Sequence, residues 1–197
     1  MGSTFIVVLA WLVVLALWGA AGYNRLRLLR NRVENAWSQI DVQLKRRHDL
    51  IPNLVEVARG YMQHEASTLE AVARARSQAV QASEALRGHT GQAQALGALA
   101  AAEQALGSSL GRLMVVAEAY PELKADAQMQ SLSEEIASTE NRIGFARQAY
   151  NDEVMAFNNK ASQFPDLIWA RLLGFAHMDM LQSTMNAQER QAPSVRF

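Results

Sequence analysis

From Thr4 to Gly22 the chain reads TFIVVLAWLVVLALWGAAG without a single charged side chain. In a bilayer such a run must satisfy its own peptide groups, which a helix does; at ~1.5 Å per residue it reaches ~28 Å, close to a hydrocarbon core of ~30 Å. One transmembrane span is the reading. Trp11 lies deep in it, and Trp18 and Tyr23 fall near its exit, where amphipathic rings favour the headgroup level. A cleaved signal peptide is the rival reading. Gly19-Ala20-Ala21-Gly22 offers small residues to a peptidase, but no Lys or Arg precedes the run, and the run exceeds a usual h-region. Directly after it come Arg25, Arg27, Arg30 and Arg32, and the first acid is Glu34. By the positive-inside rule that flank stays cytoplasmic, and with it the bulk of the chain. The same arginines are placed to meet anionic lipid.

No turn signal separates the apolar run from RNRVENAWSQIDVQLKRRHDLIPNLVEVARGYMQHE, Arg30 to Glu65. Leu26, Leu29, Val33, Trp37, Ile40, Leu44, Ile51, Leu54, Ala58 and Tyr61 step mostly by three and four, so one long amphipathic helix emerges from the membrane with an apolar face that must be covered. Pro52 cannot donate to the carbonyl of His48, which predicts a kink with Asp49 or solvent satisfying the backbone. The alternative is a short break, with Asp49 capping a fresh helix.

A second helix is expected over Ala66 to Leu86, ended by Arg87-Gly88-His89-Thr90-Gly91. A third follows over Gln92 to Ala119, with Leu96, Leu99, Leu106, Leu110, Leu113 and Val116 on one side, ended by Tyr120-Pro121-Glu122-Leu123. The fourth, about Ala125 to Ala161, carries a heptad through Met129, Leu132, Ile136, Thr139, Ile143, Ala146, Tyr150, Glu153, Phe157 and Ala161 to Phe164. Half of the residues are hydrophobic and only 7% aromatic, and the vocabulary after the first segment is that of helices. The expected fold is all-α: an N-terminal transmembrane helix followed by an antiparallel four-helix bundle with long first and fourth helices. The boundaries are 1–23 for the anchor, 24–163 for the bundle, 164–177 for a short apolar helix and 178–197 for a flexible tail.

That short helix follows from Phe164-Pro165-Asp166, where proline stops the fourth helix and Asp166 is placed to cap the next. Leu167, Ile168, Trp169, Leu172, Leu173 and Phe175 give it more apolar surface than so short an element needs, yet it cannot span a bilayer. An up-and-down bundle returns its fourth helix toward the membrane, so the expected interface set is Trp18, Tyr23, Arg25, Arg27, Leu167, Ile168, Trp169, Leu172 and Phe175. The alternative is that the short helix caps the open end of the core.

Chemistry-bearing patterns are sparse. Lys and Arg number 19 and Asp and Glu 19, so no overall field attracts nucleic acid. The absence of cysteine excludes disulfides, thiolate metal sites and Cys nucleophiles. Three residues before His48, His64, His89 and His177 stand Lys45, Tyr61, Leu86 and Gly174, so no Glu-x-x-His pair is formed, and no metal or other cofactor is expected. Arg46-Arg47-His48-Asp49 reads as solvated or mutually paired surface charge rather than an acid/base cluster. Gly107 and Gly111 suit close helix packing, with a weak hint of oligomerisation. Asn31, Asn35, Gln39, Asn141, Arg142 and Asn151 form a denser polar set beside the two long stripes. It reads either as an interhelical hydrogen-bond network fixing register or as a binding groove.

Much of this chain is similar to a known family. The Arg30 to Glu65 stretch, TLEAV after it, PELKA at 121–125, and TENRIGFARQAYNDEVMAFNNKASQFPDLIWARLLGF together resemble the LemA family of bacterial membrane-anchored proteins, over roughly Tyr23 to Phe175. The segment RGHTGQAQALGALAAAEQ is the least family-like portion. The resemblance implies an N-terminal transmembrane helix, a four-helix antiparallel bundle and no established enzymatic activity; a magnetosome-associated relative points to roles at membranes. The expected function is a non-enzymatic scaffold or interaction protein, single-pass in the bacterial inner membrane. Its expected partners are the lipid bilayer, further copies of the chain and other membrane proteins, and no nucleic acid. The alternative is a small-molecule or metal-binding sensor built on the polar set between the first and fourth helices.

Overall fold

In the computed structural model of the chain, residues 2–87 and 91–181 are described; they form helices joined by short turns and end in a non-helical segment, 175–181. Helix α1, Gly2–Tyr61, runs unbroken for 60 residues from the apolar segment through Pro52. It is followed by α2, Ala66–Leu86, α3, Ala93–Ala117, the short α4, Pro121–Ala125, α5, Ala127–Ser162, and α6, Asp166–Leu172. The fresh helix at Asp49 does not occur. Its cause is absent because the carbonyl that Pro52 leaves free has another donor: Arg76 Nε of α2 reaches His48 O at 2.6 Å.

The expected stripes face inward. Ile51, Leu54 and Ala58 of α1, with Met62 just beyond its end, meet Leu69 and Val72 of α2, Leu106 to Leu113 of α3, Leu123 of α4 and Met129 and Ile136 of α5 in one core. Closer to the apolar segment, Val33, Trp37, Ile40 and Leu44 meet Leu86, Leu96 and Leu99, together with Ile143, Tyr150, Val154 and Phe157. Leu26 and Ala161 close the base. As numbers rise along α1 they fall along α5, so these two helices run in opposite directions; α2 and α3 do likewise. Helix α5 starts at Asp126, whose carboxylate accepts from Gln128 N and Met129 N, each at 2.9 Å. The amide of Met129 is the main reason that this carboxyl is held below its ordinary range. Tyr61, which donates to the same carboxylate, is correspondingly raised.

Two boundaries differ from expectation. Pro121 opens a separate turn of helix, α4, because proline suits a first helical position. Residues 178–181, assigned to a flexible tail, are packed: Leu181 is buried and Met178 half-buried on α5, pinned by side chains described below. The remainder of the tail, 182–197, and His89 of the connecting loop lie outside the described residues.

Candidate membrane-interface site

Helix α6 folds back onto the far end of the apolar run. The Trp169 ring lies over Gly19 and Gly22: a Cβ built at Gly19 would stand 2.9 Å from the ring, and at Gly22 3.2 Å. Glycine at both positions lets the indole approach the α1 backbone. Trp18 packs edge-on against Trp169 at 5.8 Å, and Tyr23 meets Phe175 at 5.9 Å. Asp166 does not cap α6 by side chain; it is the first residue of the helix and pairs with Lys160 at 2.6 Å. A carboxylate there still favours the helix N-terminus, and Lys160 ties it to α5. At the other end Gly174 takes φ 72° and Phe175 N donates to Ala170 O at 2.9 Å, closing the helix in a glycine-capped turn.

The expected interface set therefore divides. Trp169 and Phe175 turn toward α1, and Leu167 is half-buried. Ile168, Leu172 and Leu173 face outward, with Phe164, which the heptad would have placed inside, 80% exposed. Arg25, Arg27 and Arg171 are exposed nearby in the chain. Since Gly19 and Gly22 belong to the last turn of the apolar run, α6 lies beside the end of that run. Helix α1 is long and apolar enough to do so, and Phe5, Trp11 and Leu17 along it are exposed, as lipid-facing side chains would be.

The polar set expected between the two long helices is not assembled. Asn31, Asn35, Gln39, Asn141 and Arg142 are exposed. Asn31 and Asn35 each stand two positions from Val33, which is ~200° around a helix and so on the outer face. Asn151 bonds, but to the backbone of Leu181 rather than to α1.

Instead the buried polar junction is made by Arg47 and His48, read from sequence as surface charge, together with Glu103. Arg47 and His48 are 5% and 4% exposed, and Glu103 of α3 is 4% exposed. Glu103 accepts from His48 Nε2 at 2.7 Å and from Arg47 Nη1 at 3.3 Å. Arg47 Nη1 also reaches Glu140 of α5 at 2.5 Å, and Arg46 pairs with Glu135 at 3.5 Å. With Arg76 on the His48 carbonyl, all four long helices meet at this point of α1. Gly107 faces Arg47, whereas Gly111 borders open space. A signal was present: Leu44, Arg47, His48 and Ile51, like Leu99, Glu103 and Leu106, continue the three-four spacing of their apolar stripes, so charge at those positions had to be buried and paired.

A second polar feature lies on α5. Asn158 and Asn151, seven residues and two turns apart, each bond an extended segment through both amide atoms. Asn158 Nδ2 donates to Met178 O at 2.8 Å while Met178 N donates to its Oδ1 at 3.0 Å. Asn151 makes the same pair with Leu181 O and N, both at 2.8 Å. Between them Asp179 N donates to Gly91 O at 3.1 Å, its carboxylate accepts from Ala93 N at the start of α3, also at 3.1 Å, and its carbonyl accepts from Tyr150 Oη at 3.3 Å. Burial, and then the charge of Asp179, push the Tyr150 phenol up to about 12.

These features define a class: an all-helical protein led by a helix of membrane-spanning length, with a short apolar helix folded against that helix's end. Residues 36–197 match the model of the LemA family, and the chain belongs to it. It is similar to magnetosome proteins MamQ 2 and MamQ 1 of Paramagnetospirillum magneticum, at 26% identity over 175 residues in each case, covering 81% of this chain. Magnetosome protein MamQ of Magnetospirillum gryphiswaldense is 24% identical over 172 residues, or 80% of the chain. The match spans 64% and 63% of these relatives' own lengths, less than two thirds.

Proposed function

We propose that this chain is a membrane-anchored scaffold or interaction protein that acts by binding, without enzymatic activity, and that assembles with further copies of itself. In this reading α1, α2, α3 and α5 form an antiparallel four-helix bundle standing on the cytoplasmic face of the inner membrane. The observation that carries the proposal is the docking of α6 on Gly19 and Gly22 with Phe164, Ile168, Leu172 and Leu173 turned outward. An apolar helix face held at the end of an apolar span is suited to the headgroup boundary, where each such side chain contributes up to ~1.5–3 kcal/mol when fully buried. Anchor and α6 together restrict tilt, so the distal ends of α1 and α5 are presented at a set height. The similarity to magnetosome proteins supports a place at a membrane.

Assembly is tested on full-length protein in mild detergent. Light scattering and cross-linking should show homo-oligomers, and monomer alone across cellular concentrations would remove the scaffold reading. Orientation is tested separately, by a reporter fused after Phe197 that is active only when exported. It should stay silent; activity would place the bundle on the other side.

A further inference from the structure

The segment on α5 has the features of a bound peptide rather than of a helix connection. Its four bonds with Asn151 and Asn158 all go to main-chain groups, so they recognise an extended backbone whatever its side chains. Specificity comes from two apolar anchors three residues apart, Met178 and Leu181, which join the core around Trp37 and Tyr150. Between them is an acid that meets the free amide of Ala93. The groove does not end at Leu181: a space of about 290 Å³ continues along the small-residue face of α3, past Ala93, Gly97, Ala100 and Ala101.

We infer that this groove is the joint through which two copies of the chain associate, with residues 178–181 of one copy seated on Asn151 and Asn158 of the other. The inference rests on the self-assembly reading above and supplies its mechanism. Every copy carries an occupant that fits the groove of its own chain, and the same bonds are available between two chains, so exchange forfeits none of them. The segment is joined to the glycine-capped end of α6 by Ala176 and His177, both exposed, which leaves a short connection free to redirect it. Anchoring of every copy through α1 confines grooves and segments to one layer beside the membrane, which raises their effective concentration above that of free chains.

The chain has no cysteine, so two single substitutions give an unambiguous test. Ala93 and Met180 are both exposed and line the same groove, and their side chains make none of the bonds described above; Ala93 contributes only its backbone amide, which a cysteine keeps. Full-length A93C carrying one affinity tag and full-length M180C carrying another are co-reconstituted in vesicles and treated with a short bis-maleimide. The expected result is a covalent heterodimer bearing both tags, which falls to background when both copies also carry N151A and N158A. The double substitution A93C/M180C in one chain reports the seat within a single copy, confirms that the groove has formed, and once cross-linked should assemble less. Oligomers that never cross-link, or that cross-link equally without the two asparagines, overturn the exchange and leave the scaffold reading standing. Monomer alone overturns both.

Discussion

Glu103→Ala is expected to destabilise the protein by about 3 to 5 kcal/mol, the cost of removing one partner from a buried ion pair and leaving charge without compensation. Among the described residues Glu103 is the only partner of His48 Nε2 and one of two partners of Arg47 Nη1, while Arg47 Nε is already buried without one. Glu140 remains to Arg47 in this variant but is itself half exposed, so it compensates poorly. Glu140→Ala by itself should therefore cost far less, nearer the ~0–1 kcal/mol of solvent-exposed pairs. Replacing Arg47, His48 and Glu103 together by apolar residues of similar volume should come close to neutral, because the desolvation of the charges disappears with them. Urea unfolding of full-length protein in mild detergent, followed by circular dichroism, measures all three. If Glu103→Ala costs no more than Glu140→Ala, the junction does not hold the helices as described.

Gly19→Leu is expected to expel Trp169 from α1 and release α6. A Cβ alone would stand 2.9 Å from the indole, and a leucine adds three further carbons in the same direction. Overpacking of this kind costs ~1–3 kcal/mol, and the ring cannot simply rotate aside while Trp18 packs against it at 5.8 Å. Gly19→Ala should do less, since the far end of the indole can shift by a few tenths of an ångström. A spin label on Leu172→Cys in vesicles reads the outcome. In the parent it should be accessible to oxygen and shielded from a water-soluble nickel chelate; with Gly19→Leu its mobility and its exposure to the chelate should both rise. A label at 172 that meets the chelate freely in the parent would mean that the outer face of α6 is in water, and the membrane-interface reading would fall.

Local physics made part of this molecule legible. A charge-free run of bilayer length and stripes spaced by three and four specify helices and their inner faces without reference to anything distant, and every long helix was found within a few residues of its expected span. The apolar excess of 167–175 and the proline before it were likewise sufficient to mark a separate short helix. The misreadings came where polar residues were judged by type instead of phase. Asn31, Asn35 and Gln39 flank the stripe yet face outward, whereas Arg47, His48 and Glu103 are charged yet lie in phase with it and are buried.

The all-helical class, the membrane-length segment, the buried stripes and membership of the LemA family are each written in the order of residues along the chain. It took the packing of whole helices to bring Arg76 to the carbonyl freed by Pro52, Glu103 to Arg47 and His48, Trp169 onto Gly19, and residues 178–181 onto Asn151 and Asn158. Helical periodicity is set by bonds four residues apart, so it is written into each stretch separately. Pairings between groups 20 to 150 residues apart depend on how whole helices slide and rotate against one another, which is settled by the summed packing of the core and not by any one segment.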